Sequence, residues 1–185
     1  SQPIKGTIKK IDDIDLDKKN QELLLNSSKD FSENVMIVDL VRNDLSRIAV
    51  PLSVKVNELA GLYSYQNVHH LVSTISCEIG HTTSFSDIIK ALFPMGSMTG
   101  APKIKAMNLI EKYEDTLRGI YSGSLGYIDP EKNFDFNVVI RSIFYNSQTK
   151  YLSFMVGGAI TIESDPESEY EECMSKVQSI INVLS

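Results

Sequence analysis

The chain has 185 residues, 42% hydrophobic and 23% charged, a balance that suits a globular domain and excludes a fibrous or disordered polymer. Twenty-four acidic residues against 18 basic give a net charge of −6, and no Lys/Arg-rich run favours nucleic acid or an anionic membrane surface. The two cysteines, Cys77 and Cys173, lack CxxC spacing, and no apolar stretch reaches membrane-span length, so a cytoplasmic protein with free thiols is expected.

Read from the N-terminus, residues 17–28 (DKKNQELLLNSS) suggest a helix ending in a Ser-Ser turn. From Asp30, Val35, Val38, Val41 or Arg42, and Leu45 recur at spacings of three and four, the signature of an amphipathic helix closed before Pro51. SVKVNEL then alternates like a strand, and Val68–Ile79 (VHHLVSTISCEI) is β-rich without Gly or Pro. Ser86 is the expected N-cap of a helix over Asp87–Phe93, stopped by Pro94. After the polar loop Gly96–Gly100, Pro102 suits a first helical turn whose stripe is Ile104, Met107 and Ile110. Three strands are expected at Tyr121–Ile128, Phe136–Tyr145 and Tyr151–Ile162, separated by DPEKN and NSQTK, before a final helix at Ser168–Leu184. Hairpin-like strands mixed with single helices predict an α+β fold, and without a Gly-rich phosphate loop a nucleotide cofactor is not supported.

The final helix is the richest in chemistry. At about 100° per residue, Glu169, Glu172 and Lys176 form a narrow stripe beside the apolar face of Cys173, Val177, Ile180, Ile181 and Leu184. The plain alternative is a solvated flank with a Glu172–Lys176 pair worth a few tenths of a kcal/mol. The sharper one makes the carboxylates hard oxygen ligands, since Mg²⁺ is held by one or two carboxylates with water and substrate completing the octahedron. Asp30 and Glu33 repeat the spacing at the start of the earlier helix, where simple helix-dipole stabilisation competes. Arg141 follows Val138-Val139-Ile140 on an expected interior strand, where a guanidinium needs an anion such as a carboxylate; at an edge it would lie in water. Gly157-Gly158 would let a ligand reach backbone N–H groups, and the loop around Ser97 offers hydroxyls and N–H groups to an anion; ordinary turn chemistry accounts equally for both. His70 and Lys5 have bland alternatives as packed and solvated residues. An amine is a nucleophile near neutral pH only where its surroundings favour the neutral form.

These residues fall in seven blocks: PIKGT (3–7), SENVMIVDLVRNDLSR (32–47), VHHLVSTI (68–75), FPMGSMTGAPKIKAM (93–107), YSGSLGY (121–127), VVIRS (138–142) and VGGAITIESDPESEYEECMSK (156–176). In sequence and order they resemble the chorismate-utilising enzymes, the family of anthranilate, aminodeoxychorismate, isochorismate and salicylate synthases. The resemblance implies Glu33 and Glu172 as Mg²⁺ ligands, with Asp30 and Glu169 nearby and Lys176 close to the ring carboxylate of chorismate. It implies that Tyr121, Arg141 and the Gly157-Gly158 backbone hold the enolpyruvyl carboxylate, and that Thr7, His70 and Ser97 line the substrate, His70 in a catalytic role. Ala159 stands where the family often has a third glycine. The slot of Lys5 is small in the anthranilate, isochorismate and salicylate branches and lysine in the aminodeoxychorismate synthases. The implied activity is therefore amination of chorismate to 4-amino-4-deoxychorismate, for p-aminobenzoate and folate synthesis, with ammonia from a glutaminase partner.

Residues 1–185 would then be the C-terminal portion of one chorismate-binding domain, whose preceding segment supplies further strands and a general-acid glutamate. The competing expectations are an anthranilate synthase and a catalytically incomplete chorismate-binding fragment.

Overall fold

The computed structural model describes residues 1–162 and 164–184, the side chains of Ser179 and Val183 aside. The chain divides into two compact units, Ser1–Tyr113 and Glu114–Ser185.

The first unit is built on a three-stranded antiparallel sheet. Strands β1 (Ile4–Lys9) and β2 (Lys55–Ser64) flank the central β3 (Val68–Ser76). His69 through Ser73 and Ile75 of β3 are buried, as a middle strand with neighbours on both sides requires. Helices α1 (Ile14–Leu25) and α2 (Ser28–Ser46) pack on it. Leu24 meets Ala60 and Leu71, with Ile8 and Leu62 alongside, while Val38, Leu45 and Ile75 form a second cluster with Val41, Val54 and Leu92. The spacing-derived stripe on α2 is thus the buried one, except that Val35 is exposed. Asp13 caps α1 by accepting from the Asp15 and Leu16 amides, and Ser27 caps α2 by accepting from the Asp30 amide.

Helix α3 (Phe85–Leu92) begins earlier than the sequence suggests. Ser84, not Ser86, is the N-cap, because Asp87 sits at the position that returns a carboxylate to the cap amide and closes a capping box. A single 3₁₀ turn (Gly96–Met98) and helix α4 (Lys103–Tyr113) complete the unit.

The second unit contains two hairpins and a helix. Strands β4 (Ser124–Ile128) and β5 (Phe134–Val138) pair around a turn in which Asp129 accepts from the Asn133 amide. Strands β6 (Ile143–Asn146) and β7 (Tyr151–Phe154) pair around one in which Asn146 accepts from the Gln148 and Thr149 amides. The expected strand Phe136–Tyr145 is therefore two strands. The first ladder runs on to Val139, which exchanges backbone hydrogen bonds with Ser122 and Gly123. Arg141 then adopts φ 51° and breaks the extended chain. Arg141 lies exposed in this connection rather than on an interior strand, a correction that a continuous apolar run could not reveal. The third expected strand also stops early, at Phe154 instead of Ile162. Helix α5 (Pro166–Leu184) closes the unit with Ile180 buried. Among the described residues no helix is long and apolar enough to cross a membrane. Mixed helices and antiparallel strands make the α+β class.

Candidate functional site

In the first unit the residues expected to carry chemistry collect around β1. The strand is bulged: its register on β3 shifts between Ile4 and Thr7, and Gly6 takes φ +96°. A Cβ on Gly6 would stand 3.2 Å from both the Asp30 Cβ and Leu71 and 3.3 Å from Leu24, so the strand lies hard against α1, α2 and β3 there. The bulge leaves the Lys5 side chain leaning towards α2, where its Nζ lies 2.8 Å from Glu33 Oε2. Past the bulge, Thr7 pairs with His70, and the Thr7 hydroxyl and His70 Nδ1 are hydrogen-bonded at 2.7 Å. The Tyr65 ring meets the His70 ring edge-on at 5.4 Å between centroids. Strand β1 thus carries two polar pairs, an amine with a carboxylate and a hydroxyl with an imidazole, groups of the kinds that serve nucleophilic and proton-transfer chemistry.

Asp30 serves as the third residue of the α2 N-terminus, its carboxylate accepting from the Ser27 hydroxyl whose oxygen caps the helix. Ser97 is exposed in the 3₁₀ turn. Its neighbour Gly96 is buried against α2, where an added Cβ would stand 3.1 Å from the Leu40 Cβ.

The second unit gathers another group. Lys176 Nζ donates to Glu172 Oε1 at 2.6 Å and to the Gly157 carbonyl at 3.0 Å, joining α5 to the glycine pair. A Cβ at Gly157 would stand 3.0 Å from the Tyr121 hydroxyl, and one at Gly158 the same distance from Glu169 Oε2. Glu169 accepts from Ser164 Oγ at 2.7 Å, and that oxygen accepts from the Thr161 amide. Burial pushes the Tyr121 phenol above its usual pKa, opposed by the nearby Arg118 guanidinium, so Tyr121 is a neutral hydrogen-bond donor near neutral pH. Tyr121, Gly157, Gly158, Glu169, Glu172 and Lys176 are therefore brought together, whereas Arg141 lies in the exposed link between β5 and β6.

Among the described residues, no group of three His, Cys, Asp or Glu side chains is assembled as a metal site within either unit. Taken unit by unit, the first offers Glu33 and the second Glu172 as the kind of hard oxygen donor that a divalent cation takes. Glu33 and Glu172 each present carboxylate oxygens that are partly open to solvent and held by a lysine ammonium, and Mg²⁺ needs only one or two such groups.

Three arrangements have no signal in spacing, although Asn34, Asp44, His69 and Lys103 all lie within the blocks that carry the family resemblance. Asp17 of α1 accepts from the wholly buried His69 Nε2 at 2.9 Å, and His69 Nδ1 is hydrogen-bonded to Ser64. Lys103 Nζ at the start of α4 lies 2.6 Å from Asp44 Oδ2 on α2. Asn34, 1% exposed, connects α2 with β1 and β3. Each links elements far apart in sequence, so periodicity could not find it; a polar residue recurring on the apolar face of its helix was the one available hint.

Comparison with known proteins places the chain in a class. A family model described as chorismate binding enzyme matches residues 1–182. Aminodeoxychorismate synthase component 1 of Salmonella typhimurium is 42% identical over 184 residues, 100% of this chain and 40% of that protein. Anthranilate synthase component 1 of Aquifex aeolicus is 37% identical over 184 residues, 100% of this chain and 37% of that one. The crystal structure of anthranilate synthase component I from Streptococcus pneumoniae matches with a TM-score of 0.80 at 31% identity, over 97% of this chain and 41% of that one. The chain belongs to the chorismate binding enzyme family. It spans about two fifths of the length of these two curated relatives.

Proposed function

We propose that this chain carries part of the catalytic apparatus of an aminodeoxychorismate synthase, a cytoplasmic enzyme that converts chorismate to 4-amino-4-deoxychorismate for p-aminobenzoate synthesis. The observation that carries the reading is Lys5. It occupies the slot that is lysine in that branch, on a bulged strand from which its amine reaches Glu33, while Thr7 further along the same strand is hydrogen-bonded to His70. The relatives named aminodeoxychorismate synthase component 1 support it.

In this mechanism the Lys5 ammonium, paired with Glu33, first gives up a proton, and the resulting amine forms a bond to C2 of the chorismate ring. The ring double bonds shift in turn and the electron pair of the C4–O bond leaves with the 4-hydroxyl, which takes up a proton and departs as water. Ammonia then bonds to C4, the double bonds shift back, and the C2–N bond to Lys5 breaks; the new ammonium loses one proton. The covalent step divides one difficult displacement into two. By the family resemblance, His70 and Thr7 would exchange protons beside the ring, Tyr121, Arg141, Lys176 and the Gly157-Gly158 backbone would bind the carboxylates, and Ser97 would line the ring. Glu33 and Glu172, with Asp30 and Glu169 nearby, would hold the Mg²⁺, which supplies a Lewis acid for a substrate carboxylate. The ammonia source is a glutamine amidotransferase subunit, in keeping with the component 1 of the relatives' name.

The test incubates the chain, with and without the N-terminal portion of an aminodeoxychorismate synthase component 1 added in trans, with chorismate, Mg²⁺ and ammonia. Mass spectrometry is expected to find aminodeoxychorismate, and an adduct on Lys5 when ammonia is withheld. Production of fluorescent anthranilate instead would establish the second reading, anthranilate synthase, which the 37% identity to the Aquifex aeolicus protein keeps in play. Neither product from the reconstituted preparation would leave a binding fragment.

A further inference from the structure

The bulge in β1 raises a question of hydrogen-bond satisfaction. Between Ile4 and Thr7 the ladder to β3 is interrupted, so carbonyls in that stretch lack their regular strand partners. The Asn34 side chain fills the gap. Its Nδ2 donates to the Lys5 carbonyl at 3.3 Å and to the Leu71 carbonyl at 3.4 Å, one on each side of the interruption. Both bonds are long; the one to Leu71 is buried and the one to Lys5 partly so, with the Asn34 side chain itself only 1% exposed. The amide is itself oriented: its Oδ1 accepts from the Ser73 hydroxyl, and Ser73 Oγ accepts from the Ala60 amide at 2.8 Å. Ala60 sits where β2 also slips its register against β3. One line of hydrogen bonds therefore runs from β2 through β3 and α2 to the backbone of Lys5.

Asn34 follows Glu33 directly. Neighbouring residues of α2 thus hold both ends of Lys5, Glu33 its ammonium and Asn34 its carbonyl. We infer that Asn34 is a positioning residue for Lys5, and that Ser73 acts on Lys5 through it. A buried amide bonded on both sides fixes the strand at the bulge, so the Lys5 side chain leaves the backbone in the direction of Glu33. Its importance for catalysis rests on the nucleophilic role proposed for Lys5; the clamp on the backbone does not.

The experiment therefore reads Lys5 in a way independent of turnover. The folded chain is treated with trace acetic anhydride, and acetylation of each lysine is quantified by mass spectrometry, with Lys103 as the internal control because it is tied to α2 by another residue, Asp44. Asn34→Ala is expected to raise Lys5 labelling relative to Lys103 by about fivefold, the factor that one net hydrogen bond gives. Ser73→Ala, which removes a single hydroxyl, shifts the ratio in the same direction by less. A wild-type ratio in folded Asn34→Ala protein overturns the inference. If labelling of both lysines rises together, that variant has lost its fold and Ser73→Ala decides: an unchanged ratio there overturns the inference, and a raised one sustains it. In the reconstituted enzyme the variants lower kcat while KM for chorismate holds. Should the wild type form no adduct with chorismate, the proposed function fails and the labelling result still stands.

Discussion

Lys5 Nζ and Glu33 Oε2 lie 2.8 Å apart, the amine reaching from the bulged strand β1 to the second turn of α2. The two side chains remain 34% and 25% exposed, so water screens the pair and its worth to folding is small. Lys5→Met is expected to change stability by less than about 1 kcal/mol while abolishing amination of chorismate. Urea denaturation beside a product assay checks this; retained amination in the folded variant would remove Lys5 from the chemistry.

Lys103 and Asp44 form the opposite kind of pair, their side chains only 16% and 8% exposed. Asp44→Ala strands an ammonium in the interior and is expected to cost about 3 kcal/mol or more. The double variant Asp44→Leu with Lys103→Met recovers most of that loss, because both desolvated charges are gone. Denaturant midpoints at equal m-value measure both effects.

The Asp17 carboxyl is held at a pKa of about 2, first by the hydrogen bond from His69, then by the Ile11 amide. A carboxyl depressed in the folded state binds fewer protons than its unfolded counterpart, whose ordinary value is about 3.9. Its stabilising contribution is present above about pH 4 and is lost as pH falls towards 2. Thermal melts across that window are expected to fall more steeply for the wild type than for Asp17→Asn, which lacks the titrating group. Parallel slopes would show that the pair does not tie α1 to the sheet in solution.

Gly157 and Gly158 test the carboxylate grip. An added methyl would press on the Tyr121 hydroxyl and on a Glu169 oxygen, each at 3.0 Å and each at the tip of a side chain. Gly157→Ala and Gly158→Ala are therefore expected to melt near the wild-type temperature yet raise the KM for chorismate. A lowered melting temperature with unchanged KM would make the glycines structural.

Magnesium dependence is checked by chelation. Activity of the reconstituted enzyme is expected to vanish in EDTA and return with Mg²⁺. Glu33→Gln and Glu172→Gln each raise the half-saturating Mg²⁺ by about tenfold or more. An EDTA-insensitive enzyme would exclude the role assigned to both carboxylates.

Much of this was legible in the chain itself. Three- and four-residue spacing located α2 and α5, β-rich composition located β3, and the two polar turns located both hairpins, because each signal is confined to a few consecutive residues. The Glu172–Lys176 pair is of this kind, an i,i+4 contact fixed by helix geometry. Arg141 was not: the run before it reads as one strand, and only the pairing of β6 with β7 shows where the chain must turn.

What the sequence determined alone is most of the helices and strands, though not β1 or the break between β5 and β6, together with the family and the residue types available for chemistry. Tertiary structure decided which of them meet. Asn34 and Lys5, Asp17 and His69, and Asp44 and Lys103 are separated by 29, 52 and 59 residues. Periodicity reports which face of an element is apolar, not which neighbour that face will meet, and a buried polar group takes its partner from the packing that surrounds it.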